Sequence, residues 1–465
     1  MKRKLLSLAM IAALCLTMLP TAGWAADGEI DDWQVPEAPT TTGSWTDAGN
    51  YEINWYTDNP SATEFELEDA ADLAGLAAIV NGTAKNASGA TIKDDFAGDT
   101  ITVKSGSTID LKDKQWTPIG NRAAYAFKGT FDGKNVEITG VTISGDSAIS
   151  GAGLFGYVNN GIVQNVSVSG AYINAIIANN GAVGGIVGIL TGTQNDESNQ
   201  GKISNCSFSG NIIVNGKELV TCAGGIVGSV SSLGYGGVYP NLIVESCENK
   251  ATIQGVAIYM GGIAGNNGKA DTIKSCTNNG KLQSTRYSQN ALGGIVGYTQ
   301  GAVEQCENKA VVTGIGRTTP ADGYGTYYVG GIAGLMRACE ISGCKNTAAV
   351  SSAHSVYMGG IAGGYYLVAS DSEGGKITDC HNSAPVTNTG NKITSTSAID
   401  GTTTGGILGG FFDNANESIE VTKCSNTAAI SVGSEDLSAN VGGILGRGRL
   451  VHSLYSFRSA IMLAM

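Results

Sequence analysis

The chain has 465 residues, a formal net charge of −12 and 15 % charged residues against roughly 25 % in ordinary domains, and 68 of its residues are glycine. An acidic chain without a basic cluster is a poor match to nucleic acid, and nothing after residue 25 has the ~18 uninterrupted apolar residues of a membrane helix. Low charge with abundant Gly, Ser, Thr and Asn suits short stacked strands joined by tight turns.

Residues 1–25 read as an export signal. Lys2, Arg3 and Lys4 precede a mostly apolar run from Leu5 to Leu19, and Gly23-Trp24-Ala25 offers small residues for cleavage after Ala25. Cleavage would take the net charge to −15 and place the mature chain outside the cell or on its surface. Residues 26–62, with Pro36, Pro39, Pro60, Trp33, Trp45 and Trp55, read as a linker or a small preface. Residues 69–80 form the one convincing helix, with Asp69 as its cap, Asp72 completing an approximate capping box and Gly82 past its end. An amphipathic helix there would cover the open edge of a first coil. Residues 63–150 therefore hold this cap and the first coils, with alternation from about residue 91.

Residues 151–446 are a repeat. GAGLFG at Gly151–Gly156 is followed by eight copies of GGI(V/A/L)G beginning at Gly184, Gly224, Gly261, Gly293, Gly330, Gly359, Gly405 and Gly442. Successive copies are 29 (Gly330 to Gly359) to 46 (Gly359 to Gly405) residues apart, the mark of a solenoid whose insertions fall in loops. The other half of the repeat is [IV]-x-x-C-x-N-x-[AG]-x-[VIL], complete at Val244, Cys247, Asn249, Ala251 and Ile253. Cys206, Cys247, Cys276, Cys306, Cys344, Cys380 and Cys424 share one slot, so they should form a buried column of reduced thiols rather than disulfide pairs. Asn249, Asn278, Asn308, Asn346, Asn382 and Asn426 should stack at a turn, tolerate left-handed dihedrals and bond one another. The isoleucines Ile186, Ile226, Ile263, Ile295, Ile332, Ile361, Ile407 and Ile444 should form one inward column.

These motifs resemble the GLUG-motif repeats of bacterial surface and secreted proteins, including bacterial immunoglobulin A peptidases. Two upstream stretches extend the likeness: Asp69–Ala77 with Val80-Asn81-Gly82, and Trp116–Gly120 with Phe127–Gly133. The resemblance covers about residues 62–446. It implies an all-β fold, a right-handed parallel β-helix solenoid with a short N-terminal capping helix, and it specifies no reaction.

Pectin-active β-helices gather carboxylates on one strand face, whereas Asp94-Asp95, Asp196-Glu197, Asp371 with Glu373, and Glu435-Asp436 are dispersed in variable stretches. There is no HExxH, no CxxC and no G-x-S-x-G, and His354, His381 and His452 are scattered. No catalytic residue, metal site or cofactor is therefore expected. The suggestive feature is aromatic. Tyr259, Tyr328 and Tyr357 stand two residues before a GGI core, while Tyr298, Tyr365 and Tyr366 follow one, and exposed rings there would serve as ligand-binding anchors. The expected function is that of a non-enzymatic, adhesin-like protein. It would be monomeric, secreted or on the cell surface, and would bind extracellular glycan or protein through Tyr259, Tyr328, Tyr357, Tyr365, Tyr366 and the insertions at 314–326 and 365–375. The alternatives are a polysaccharide lyase or glycoside hydrolase on the same fold, and a structural spacer. Residues 447–465 match nothing upstream and should be poorly packed.

Overall fold

A computed structural model describes residues 35–449, apart from 194–199, 216–220, 234–240, 285–289, 315–327, 354, 368–370, 372–373, 390–401, 413–418 and 434–439. The expected signal peptide, His354, His452, the acidic residues Asp196, Glu197, Glu373, Glu435 and Asp436, most of the 314–326 insertion, part of the 365–375 insertion and residues 450–465 lie outside the described residues.

The chain winds into a parallel β-helix. One coil shows the plan: short strands at Thr272–Lys274, Thr277–Asn278, Leu282–Ser284, Ala291–Gly293 and Val296–Thr299. Each pairs in parallel with its counterpart in the coil before and the coil after. Parallel strands in one sheet take right-handed crossovers, which gives the solenoid its hand. The strand before the cysteine belongs to a stack of eleven, and the strand after the glycine bend to a stack of nine. The longer strands Thr142–Ala152, Ser167–Gly184 and Ser207–Asn215 cross more than one ladder and merge the remaining faces into a single sheet.

The inward column forms as the repeat requires. Backbone N–H groups of Ile186, Ile226, Ile263, Ile295, Ile332, Ile361 and Ile407 each donate to the isoleucine of the next coil at 2.9–3.1 Å. All seven are fully buried, and Ile444, on the last described coil, is 38 % exposed. Burying such a side chain contributes about 1.5–3 kcal/mol, so this column alone is a large part of the core.

The asparagine column is a continuous ladder. The Nδ2 of Asn249, Asn278, Asn308, Asn346 and Asn382 each donates to the Oδ1 of the next asparagine, ending at Asn426, at 2.7–2.9 Å. All the donors are buried. Phe208 holds the slot before Asn249, and Val168 and Ile138 precede it, so the column is apolar before the ladder begins.

The left-handed residue of the turn is not the asparagine, as expected, but the residue before the cysteine. Asn205, Ser246, Ser275, Gln305, Asp379 and Lys423 have φ of 53–56°, and Gly343 has 62°. The ladder asparagines lie in short strands instead, where parallel pairing keeps them extended. The thiol closes the turn. Cys247 Sγ lies 3.2 Å from Glu245 O, Cys276 Sγ 3.2 Å from Lys274 O, and Cys306 Sγ 3.3 Å from Glu304 O. Column sulfurs also accept backbone N–H groups, as Cys276 does from Cys247 at 3.5 Å. The column cysteines are free, and all but the half-buried Cys424 are buried.

The glycine bend is explained by close approach. A Cβ on Gly261 would collide with Ala264 O, and one on Gly262 with the Asn278 amide and Gly294 O. Neither glycine has positive φ. The ladder asparagine of one turn thus lies flat on the second glycine of the bend, and the two motifs of the repeat are halves of one contact.

The helix spans Ala70–Val80, with Asp69 Oδ1 accepting from Ala71 N and Asp72 N. Asp72 Oδ2 accepts from Glu68 N rather than from the cap residue. The helix is not amphipathic, contrary to expectation: Leu73 to Val80 are all buried. Residues 41–62 cover its outer side so tightly that a Cβ on Gly75 would meet Glu52 O. Trp55 and Tyr56 then pack on Phe65 and Phe96, with ring centroids 5.5–6.1 Å apart. The first strand, Glu64–Leu67, precedes the helix and pairs with Thr100–Val103. At the other end, Leu445–Arg449 pairs with Leu408–Phe412, so the repeating backbone continues through Arg447 and Arg449, which were expected to break it.

Candidate functional surface

Two corners of every coil are tight: the bend at the paired glycines and the left-handed turn before the cysteine. Length variation falls at the other two. One row joins the strand that follows the ladder asparagine to the glycine strand, for example Val312–Gly314 to Tyr328–Gly330 and Val386–Asn388 to Thr403–Gly405. The other joins the strand after the bend to the next cysteine strand, for example Ala362–Tyr366 to Lys376–Thr378. The glycine bend lies between the two rows, so the outward residues on either side of it form a strip flanked by insertions.

Of the five predicted anchors Tyr259, Tyr328, Tyr357 and Tyr366 occupy this strip and Tyr365 points inward, and none of the five is an exposed ring. Tyr357 and Tyr365 are buried, while Tyr259, Tyr328 and Tyr366 are half-buried. Outward residues before one bend pack on outward residues after the next. The Tyr328 ring lies over Gly364, and the Tyr357 ring over Gly410, where a Cβ would sit 2.7 Å from Cδ1. The ring of Tyr259 stacks on Tyr298 at 4.9 Å, and Tyr328 on Tyr357 at 5.4 Å and 10°. Large is matched with small across coils, and the rings form a satellite core with Ala291, Tyr298 and Leu335. Tyr365 joins the main core, its hydroxyl accepting from Gly375 N at 2.7 Å.

Polar contacts edge the strip. Tyr298 and Tyr366 hydroxyls are 3.2 Å apart, and burial, with the Tyr366 phenol beside it, pushes the Tyr298 hydroxyl well above the ordinary phenol range. The Arg337 guanidinium lies 5.7 Å over the Tyr366 ring and grips Asp371 through Nε and Nη2 at 2.9–3.3 Å. This pair, little exposed, ties the 367–375 insertion to the sheet. Sequence reading missed it because its partners are 34 residues apart and neither lies in the repeat motif.

Several carboxylates elsewhere are engaged. Asp94 Oδ2 accepts from the Tyr56 hydroxyl at 2.8 Å, and Asp95 pairs with Lys128 at 2.7 Å. On the face of the cysteine strands Glu245 lies between Lys202 and Lys274, whose hydrogen bonds hold its carboxyl below the usual range. Asp379, His381 and Ser425 line up, with His381 Nε2 3.3 Å from Asp379 and Nδ1 2.8 Å from Ser425 Oγ. The line lies on an open strand face with Asp379 64 % exposed, whereas a working triad buries its carboxylate and aims N–H donors at the reacting atom. Among the described residues no group of three or more His, Cys, Asp or Glu could hold a metal ion, and no helix is long and apolar enough to cross a membrane.

The family model of the GLUG motif matches residues 179–213. That window holds one glycine bend, from Gly184, and one cysteine turn, at Cys206, and the other coils repeat both. The chain carries the GLUG motif within a repeated fold. Over 188 residues it is 31 % identical to halomucin of Haloquadratum walsbyi, a match covering 40 % of this chain and 2 % of that protein. The chain thus spans a small fraction of that relative's length. A crystal structure from Bacteroides ovatus, provisionally described as an immunoglobulin A1 protease, aligns with 78 % of this chain and 84 % of its own at 18 % identity and a TM-score of 0.39. The GLUG window leaves out the tyrosine strip, which begins at Tyr259.

Proposed function

We propose that this GLUG-repeat chain is a non-enzymatic secreted or cell-surface protein that binds extracellular glycan or protein along the strip between its two rows of insertions. The observation that carries this reading is the segregation of length variation: two corners are held tight by glycine and cysteine, and the two that vary flank the same strip. Variable loops on a rigid scaffold are the usual carriers of recognition. The half-buried Tyr259, Tyr328 and Tyr366 supply ring edges and hydroxyls there, and the buried Tyr357 supports Tyr328 by stacking on it. Coils repeat weak contacts at fixed spacing, which makes rebinding effectively intramolecular and sums modest sites into firm attachment. The lysine-flanked Glu245 and the spent Asp94 and Asp95 speak against a polysaccharide-cleaving face.

The test is a panel of immobilised glycans and matrix proteins, read for both retention and released sugar. Retention without release is expected, weakened several-fold in Tyr259→Ala/Tyr366→Ala at an unchanged fold. Released oligosaccharide would replace this reading with an enzymatic one, and unchanged retention in the double variant would remove the tyrosines from the site.

A further inference from the structure

At the N-terminal end of the first insertion row, several coils before the tyrosines, the first coils hold a crevice of about 470 Å³, within the size range of small-ligand sites. It opens where Thr142–Ala152 loses register with Ser167–Gly184, between Gly145 and Ile149 and again before Gly151. No other strand among the described residues pairs with Thr142–Ala152. The segment 115–122 packs against it instead, with Trp116 N donating to Thr142 O at 2.7 Å and Trp116 Nε1 to Leu154 O at 3.0 Å. Ser144 N donates to Gln115 Oε1 at 3.0 Å, and Gln115 Nε2 donates to Ser144 Oγ and Thr41 Oγ1. The crevice is therefore built by a fixed wall and a bulged strand.

Its lining is mixed. Pro118, Ile143 and Ile149 supply apolar surface, Ser144 and Ser150 supply hydroxyls, and Arg122 stands at the rim. Arg122 is exposed, its guanidinium 4.1 Å over the Tyr125 ring, and Lys93 Nζ lies 4.0 Å over the same ring. In a chain of net charge −12, neither cation has a carboxylate partner among the described residues. The amide oxygen of Asn121, in the adjoining wall, has no hydrogen-bond partner.

We infer that this crevice binds a single acidic sugar residue, a hexuronate. The Arg122 guanidinium would take the carboxylate, Asn121 and the serine hydroxyls the ring hydroxyls, and Pro118, Ile143 and Ile149 the C–H face. An isolated cation beside an apolar wall asks for a ligand with an anionic end and an apolar face. The hydroxyls and the unmet amide oxygen ask that the rest of it carry donors. A hexuronate meets both demands in one ring. The site is separate from the tyrosine strip, and its failure would leave that strip's role untouched.

Ligand-observed NMR on the full chain tests this with methyl β-D-glucuronide and methyl β-D-glucoside. The glucuronide should bind about ten-fold tighter or more, since hydrogen bonds between charged groups exceed neutral ones by that order. Arg122→Gln should bring the glucuronide to the level of the glucoside. Ala148→Trp, filling the crevice from its exposed rim, should abolish both signals with Arg122 intact. Equal affinity for the two glycosides, no glucuronide signal, or full glucuronide binding by either variant would overturn the assignment. Melting temperatures of both variants identify loss of fold, and the variant that keeps its fold decides.

Discussion

Replacing Asn308 with Ala tests whether the asparagine ladder holds the coils together. Asn308 is fully buried. Its Oδ1 accepts from Asn278 Nδ2 at 2.9 Å, and its Nδ2 donates to Asn346 Oδ1 at 2.8 Å and to Ala310 O at 3.0 Å. Truncation leaves Asn278 Nδ2 and Asn346 Oδ1 facing each other across a gap, both fully buried. Each orphaned group costs about 1–3 kcal/mol, so the local loss should be about 3–5 kcal/mol. Solenoid stability is a sum of repeat and nearest-neighbour terms, so the damage should stay within the coils of Asn278, Asn308 and Asn346. Tryptophan fluorescence is the wrong probe, because Trp24, Trp33, Trp45, Trp55 and Trp116 all precede the repeats. Native-state hydrogen exchange resolved by peptide is the right one. At 1.4 kcal/mol per factor of ten, protection in those coils should fall by about a hundred-fold or more. Asn279→Ala is the control, since Asn279 is exposed and its side chain donates to the carboxylate of Glu248 at 2.7 Å, outside the ladder. A loss of less than about ten-fold in Asn308→Ala, or an equal loss in Asn279→Ala, would refute the ladder's role.

Tyr357→Ala should destabilise its coils by about 3 kcal/mol, as truncation of a buried aromatic does, and Tyr328→Ala by less, since Tyr328 is only half-buried; urea unfolding followed by far-UV circular dichroism measures both. Gly410→Ala, whose Cβ would sit 2.7 Å from the Tyr357 ring, should cost about 1–3 kcal/mol in the same assay, and neutrality there would sink the Tyr–Gly pairing. Burial pushes the Cys222 and Cys339 thiols up to about 12 from 9.0. The folded state therefore keeps protons that the unfolded chain releases above pH 9. Their contribution is complete below pH 9 and is lost as pH rises towards 12, by about 1.4 kcal/mol per pH unit for each thiol. Urea midpoints between pH 8 and 11 should fall more steeply for the native chain than for Cys222→Ala/Cys339→Ala, and equal slopes would count against it. Iodoacetamide at pH 8, without reductant, should label the column cysteines only after unfolding, and a column disulfide found by mass spectrometry would reverse that reading.

The repeat fixed the columns before any coordinate was known. The isoleucine after each glycine pair from Gly184 on, the asparagine two residues after each column cysteine from Cys247 on and the parallel stacking recur at the same slot of successive coils, and a side chain in a repeated slot must stack on its own copy. The cap of the helix at Asp69 was equally legible, because its hydrogen bonds are local. What the sequence left open depends on contacts between unlike slots. The left-handed residue before the cysteine is Asn, Ser, Gln, Gly, Asp or Lys. No residue type marks it, because the requirement falls on the backbone and is met by the thiol beside it. The helix looked one-sided until residues 41–62 covered its other face. The tyrosines looked exposed because, within its own coil, each except Tyr365 points outward. Only the stacked structure shows that a tyrosine before one bend meets a glycine after the next, at a separation set by insertions of unequal length. Periodicity reports what lies above and below a residue in its own column; burial of the strip was decided by packing between two different columns, which no period in the sequence encodes.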